Sequence, residues 1–213
     1  RNICCHSAGS LQFDGAGVLH LSTGDNTSSS DNGGFSPHDE RPGRNDYDAQ
    51  DSAGNTNDLR GKLLRITVRG DGSYTIPRGN LFRPGTAKTR PEIYAMGLRN
   101  PFRFDVDPVS DNVYMADYSP DNPEASPDRG PAGHGRWMLI RKAANYGWPY
   151  CTGSNTAAET YNQWTFPSGP SGAKYNCTGG ATNTSRNNTG LTTLPGARPA
   201  WIRYGGDAGS PAE

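Results

Sequence analysis

The chain has 213 residues, with Gly 28, Pro 17, a hydrophobic fraction of 32% and a formal net charge of +0. That length holds one domain with a sizeable core, and glycine or proline in nearly every window of helical length excludes a helix-built fold. The balanced charge excludes the basic face that nucleic acid requires, and no apolar run is long enough to span a bilayer.

The expected elements are short strands between turn clusters. Ser10–Asp14 alternates polar and apolar, Gly15-Ala16-Gly17 turns the chain, and Val18–Thr23 returns as the second arm of a hairpin. From Asp25 to Asp58 the chain is nearly all polar, a long loop that is either functional or partly disordered. Lys62–Val68 is a strong strand, turned at Asp71-Gly72 into Tyr74–Pro77. A second set follows the same plan: Glu92–Met96, Phe102–Val106 with a turn at Asp107-Pro108, Asn112–Asp117 and Trp137–Ile140. Residues 151–195 lack a regular period, and Ala200–Tyr204 reads as the opening strand of a further unit. The pattern of strand, aspartate turn and strand ending in aspartate occurs twice, from Phe13-Asp14 to Asp25 and from Val106-Asp107 to Asp117. Repeated short antiparallel units fit a propeller or a sandwich.

The four cysteines carry no Cys-x-x-Cys spacing, which disfavours zinc. Cys151 and Cys177 flank a Ser/Thr/Gly-rich stretch, and a disulfide between them is preferred to free thiols because a polar loop without its own core gains from a staple. That places the chain in an oxidising compartment, secreted or periplasmic. Cys4–Cys5 is open between a vicinal disulfide and two thiols. The sequons at Asn26, Asn176, Asn183 and Asn187 decide little in so Asn- and Thr-rich a chain. The chain starts at Arg1 without an initiator Met, and its ends read as cut points within a longer protein.

Five stretches, in order, carry a family resemblance: His6-Ser7-Ala8-Gly9-Ser10-Leu11; Ser22-Thr23-Gly24-Asp25; Leu59–Ile66 with Asp71-Gly72 and Ile76-Pro77; Arg90–Pro101, which holds Arg99-Asn100-Pro101; and Asn145-Tyr146-Gly147-Trp148-Pro149. Together they resemble the quinone-dependent soluble glucose dehydrogenase and sorbosone dehydrogenase family. The likeness runs from His6 to Pro149 and is loose beyond Cys151. It implies an all-β fold, a six-bladed β-propeller of which this chain is roughly half. Residues 1–213 are then a partial propeller domain, with 151–195 as a disulfide-stapled loop insertion.

The resemblance also implies chemistry. His6 would act as general base on the anomeric hydroxyl of an aldose or a sorbosone-like sugar, while hydride passes to pyrroloquinoline quinone. Asp25 would hold the imidazole's tautomer and charge. Gln50, Asn100 and Arg99 would stand at the cofactor, Arg99 chiefly as a cross-link between loops through carbonyls. The backbone carbonyls of Ser119 and Pro120 would bind calcium, with Ser119 replacing the family's usual glycine. Asp117, Asp121 and Glu124 are either an acidic cluster beside that ion or a solvated face. Asn145–Pro149 reads as an aromatic plug. Lys62 and Arg65 read as solvated strand residues, and His20, His38 and His134 as surface or strand residues.

The implied partners are a small sugar and the remainder of the propeller, whose later part would supply cations for a cofactor with three carboxylates. The isolated segment is therefore expected to be inactive. Two rival readings are a non-catalytic secreted propeller that binds carbohydrate or protein, and a calcium- or carbohydrate-binding module of a larger secreted hydrolase. His6 and Asp25 occurring together favour the enzyme.

Overall fold

The structure, a computed structural model, describes residues 5–7, 9–29, 33–118, 120–122, 124–126, 130–165, 168–169 and 172–205. Its strands are β1 (Gly9–Phe13), β2 (Leu19–Thr23), β3 (Lys62–Val68), β4 (Tyr74–Thr75), β5 (Ile93–Met96), β6 (Arg103–Val106), β7 (Val113–Asp117), β8 (His134–Ile140), β9 (Ala144–Asn145) and β10 (Ile202–Gly205). Three single turns of 3-10 helix, at Asn45–Tyr47, Ala49–Asp51 and Ala157–Glu159, are the only helical elements among the described residues.

The strands make two sheets. The first runs β1-β2-β3-β5-β9, with β4 paired to β3; the second runs β10-β8-β7-β6. All pairings are antiparallel except β5 with β9. Alternation along each strand sends one set of side chains between the sheets. Leu63, Tyr94 and Leu98 from the first sheet and the turn after it meet Phe104, Val106, Val113, Met115, Met138 and Ile140 from the second. The opposite side of the first sheet carries Leu64, Ile93 and Met96, which pack on Trp148, Tyr150, Tyr161, Tyr175 and Leu194. Burying each such side chain stabilises the fold by about 1.5–3 kcal/mol.

The all-β expectation holds, and the two strand-turn-strand units match. Asp14 Oδ1 accepts from the Ala16 and Val18 N–H groups, and Asp107 Oδ1 accepts from the Val109 N–H. Each unit's second strand, β2 and β7, leads to a buried aspartate, Asp25 and Asp117.

Several expectations are corrected. Ala200–Tyr204 does not open a new unit: β10 pairs antiparallel with β8, Ile202 opposite Trp137, and is an outer strand of the second sheet. β9 was not expected; two residues long, it has no periodicity to read. The polar stretch 25–58 is packed, with Asp39, Asp48, Gln50, Ser52 and Thr56 all buried. Lys62 is fully buried, because its ammonium replaces water with the carbonyls of Ser52, Ala53 and Arg60 at 2.8, 3.2 and 2.7 Å. His38 is neither on the surface nor in a named strand but buried among Tyr150, Tyr161 and Tyr175; His20 is the strand residue expected, on β2, buried against Asp14 and Tyr94.

The described residues of 151–195 form no named strand, yet they cover the first sheet as a layer. The Cys151–Cys177 disulfide spans Cα atoms 6.0 Å apart, and Asn183 donates to the carbonyls of Gln50 and Gly54 at 2.9 and 3.0 Å. That sequon is buried. A Cys4–Cys5 bond falls on Cys4, outside the described residues. No helix among the described residues is long and apolar enough to cross a membrane.

Candidate functional site

His6 precedes β1 and Asp25 follows β2, so the hairpin brings together residues 19 positions apart. His6 Nδ1 lies 2.8 Å from Asp25 Oδ1, and both side chains are buried. His6 holds the left-handed conformation, φ 44°, uncommon for a side chain with a Cβ. Gly24 makes this possible: a Cβ there would come within 2.0 Å of the His6 carbonyl oxygen and within 3.0 Å of Asn100 Oδ1. The Asn26 N–H donates to the His6 carbonyl at 3.0 Å, fixing the backbone between them.

Asp25 is surrounded by donors. Oδ1 also accepts the Thr27 N–H at 2.9 Å, and Oδ2 accepts Trp148 Nε1–H at 2.7 Å. Burial works to raise its carboxyl, but the hydrogen bond and charge of His6, the Arg99 charge and the Thr27 N–H outweigh it and hold it below the usual carboxylate value. An anionic carboxylate at Nδ1 leaves Nε2 as the imidazole's acceptor nitrogen.

The Arg99-Asn100 turn joins the pair. The Asp25 N–H donates to the Arg99 carbonyl at 2.8 Å. Asp117 accepts the N–H groups of Arg99 and Asn100, the latter at 2.7 Å, and Arg136 Nη2 donates to Asp117 Oδ2 at 2.6 Å. Arg136 also reaches the carbonyls of Gly97 and Tyr146. This resolves the acidic-cluster question for Asp117, which clamps a turn. The Arg99 guanidinium lies 5.7 Å from the Trp148 ring, and both line a narrow cleft with Ser28, Ser36, Pro120 and Tyr161.

His6, Asp25, Arg99 and Asn100 therefore converge, and Pro120 lines the cleft that Arg99 and Trp148 also line. Gln50 is committed elsewhere: its amide donates to Glu40 and Asp48 at 2.8 and 3.1 Å and accepts from Tyr175. Ser119 lies outside the described residues. The Pro120 carbonyl accepts the Asn122 N–H at 2.9 Å, and Gly133 packs against it. Among the described residues no group of three His, Cys, Asp or Glu side chains could hold a metal ion. Sequence reasoning missed Trp148, Arg136 and Lys62 as parts of the site's frame. A buried indole must find an acceptor, and that requirement is the one sequence signal pointing to Trp148.

Comparisons with known proteins show the family. The family model described as Glucose / Sorbosone dehydrogenase matches residues 2–175. The aldose sugar dehydrogenase YliI of Escherichia coli K12 is 30% identical over 147 residues, covering 69% of this chain and 30% of that protein. The HIPL1 protein of Arabidopsis thaliana is 31% identical over 156 residues, 67% of this chain and 18% of its own length. Among solved structures, an oxidoreductase of Thermus thermophilus described as a glucose dehydrogenase aligns at a TM-score of 0.51 and 26% identity, covering 75% of this chain and 38% of that one. The chain thus spans well under half the length of these relatives, and its two sheets stand as blades of a β-propeller. With the family model matched over most of its length, the chain belongs to the glucose/sorbosone dehydrogenase family.

Proposed function

We propose that the whole protein is a sugar dehydrogenase that oxidises an aldose or sorbosone-like sugar at its anomeric carbon and passes hydride to pyrroloquinoline quinone. The observation that carries this reading is the buried His6–Asp25 pair, 2.8 Å apart, beside the Arg99-Asn100 turn. His6 takes the anomeric hydroxyl proton on Nε2, while Asp25 holds the opposite ring nitrogen and balances the imidazolium charge that forms. Low water access at the pair strengthens that balance. The side chains of the His20–Asp14 pair are also buried, but that pair stands within the hairpin, whereas His6–Asp25 adjoins the Arg99-Asn100 turn, and that setting favours the enzyme over a non-catalytic binding propeller.

The residues present fit the quinone in part. Arg99 and Asn100 offer a guanidinium and an amide next to the general base, a donor set suited to a flat ligand bearing carboxylates. When bound, the quinone supplies the hydride acceptor. Gln50 holds its loop through hydrogen bonds to Glu40, Asp48 and Tyr175. Calcium is implied by the family resemblance, with the Pro120 carbonyl, which also accepts the Asn122 N–H, as one ligand that would hold it.

The remainder of the propeller is the partner that the outer faces fit. Leu11 and Phe13 on β1 are each 61% exposed, and Tyr114, Trp137 and Trp201 are exposed on the second sheet. Such apolar rows are the seats of neighbouring blades in this architecture. The Cys151–Cys177 disulfide supports an extracellular or periplasmic location.

The test is His6→Ala in the full-length protein. Sugar-dependent dye reduction should fall by about a hundred- to ten-thousand-fold, while the absorbance titration with quinone stays in place. Full activity in the variant rejects His6 as the base. Carbohydrate binding by wild type with no turnover under any acceptor favours the binding propeller.

A further inference from the structure

We infer that Trp148 is a positioning residue for the His6–Asp25 pair, its indole N–H fixing the carboxylate so that His6 keeps its proton on Nδ1. The inference rests on the reading of His6 as the base, and its first readouts need no turnover.

Asp25 has two oxygens and three donors around them. Oδ1 serves His6 at 2.8 Å and the Thr27 N–H at 2.9 Å, and Oδ2 serves Trp148 Nε1–H at 2.7 Å. Without the indole, the carboxylate is held on one oxygen alone and its plane is free to rock about the Cβ–Cγ bond. The Oδ1–Nδ1 contact then loses its direction, and the choice of imidazole tautomer loses its cause.

Trp148 is itself fixed. It is 3% exposed, its backbone N–H donates to the Gly97 carbonyl at 3.0 Å, and its ring meets Tyr161 edge-on at 6.0 Å and the Arg99 guanidinium at 5.7 Å. The residue that orients Asp25 also walls the cleft next to Arg99. Its place in the sequence, 123 residues from Asp25, makes the tie a property of the fold rather than of the hairpin.

Trp148→Phe keeps an aromatic ring beside Tyr161 and Arg99 and removes the indole N–H together with part of the ring's volume. The charged and titratable groups that bear on Asp25 are His6, Arg99, Arg60, Lys62 and Asp51, and all remain in that variant. A change in the pair's titration therefore reports the indole.

The experiment uses the full-length protein without sugar or quinone. In wild type, the Trp148 indole proton should resonate downfield and shift with pH at the same midpoint as the pair. In Trp148→Phe, the Asp25 carboxyl should titrate about one unit or more higher, and imidazole nitrogen shifts should show a reduced Nδ1-protonated fraction of His6. In turnover assays of the loaded enzyme, kcat should fall by roughly ten- to a hundredfold with KM little changed, and the pH profile should move with the pair. A folded Trp148→Phe protein with an unchanged Asp25 titration and tautomer overturns the inference. If that variant does not fold, the wild-type indole decides: a resonance that ignores the titration of the pair overturns it equally. Displaced titration in Trp148→Phe, together with a wild type that oxidises no sugar, rejects the proposed function and keeps this inference.

Discussion

Ser185 Oγ donates to Asp48 Oδ2 at 2.6 Å, joining two buried side chains 137 residues apart in the chain. Asn187 donates to the same oxygen at 3.1 Å, and Gln50 donates to Oδ1 through both its backbone and side-chain nitrogens. One carboxylate thus sews the late polar layer to the 25–58 loop beneath it. Asp48→Ala strands all of these donors in a buried place. The expected loss is roughly 3 kcal/mol or more of unfolding free energy. Urea denaturation of the full-length protein checks it; a loss below about 1 kcal/mol would mean that water replaces the carboxylate.

Lys62 gives a second prediction. Burial pushes its amine down to about 7, against the pull of Asp58, yet three carbonyls stand at the positions of its three hydrogens. Lys62→Met fills the space and abandons the carbonyls of Ser52, Ala53 and Arg60. The expected cost is on the order of 2–4 kcal/mol at pH 6, read from denaturant midpoints. It should grow toward pH 9, because the folded protein gives up the amine's proton near 7 while the unfolded chain keeps its proton to about 10.5, so wild-type stability rises as pH increases through that window. The methionine variant lacks that dependence.

His38 governs acid behaviour. Burial lowers its imidazole to about 3, opposed by its hydrogen bond to the Pro149 backbone. In the unfolded chain it takes a proton near its ordinary value, so the unfolded state binds more protons between about 6.5 and 3. Its contribution is present above that window and is lost as pH falls through it, on the order of a few kcal/mol. His38→Asn keeps an N–H for Pro149 and cannot titrate. The variant should be less stable at pH 7, but its stability should fall less between about pH 6.5 and 3.5 than that of wild type. Parallel stability–pH curves for the two proteins would remove His38 from the account.

The disulfide closes a loop of 26 residues in a layer with no regular sheet. Replacing Cys151 and Cys177 together with serine should cost about 3.5 kcal/mol in the chain-entropy treatment. Calorimetry of the full-length protein should show a lower Tm in the double variant, and the wild type should approach it under reductant. An unchanged Tm would mean that the layer is held by Asn183 and Ser185 without the bond.

The strands could be read because their signal is local. Lys62–Val68 alternates and is flanked by turn residues, and the aspartate turns at Asp14 and Asp107 announce themselves by residue type. The His6–Asp25 pair and the Arg99-Asn100 turn could be read through resemblance, since both lie in short stretches that keep their spacing. What could not be read is what distant segments do to each other. Burial of Lys62 depends on carbonyls offered by residues 52, 53 and 60, and no alternation pattern encodes where carbonyls point. Gln50 looked like a cofactor residue because of its type and place, while its partners Glu40, Asp48 and Tyr175 come from three separate places along the chain. Polar composition makes 25–58 read as a functional or partly disordered loop and 151–195 as a stapled loop insertion; folded against each other, they form a hydrogen-bonded interior whose pattern has no period.

Asp25 and Asp117 occupy corresponding places at the ends of second strands in successive sheets, yet one meets an imidazole and the other meets backbone N–H groups and Arg136. The repeat therefore places the same raw material, a buried acceptor, at the end of the second strand in both sheets, and the loop laid above each copy decides its employment. A protein built this way can acquire new chemistry by exchanging surface loops while leaving every sheet untouched. The same logic offers engineers a ready address: the strand-end aspartates Asp25 and Asp117 are already buried, and an exchanged loop can bring either a different partner.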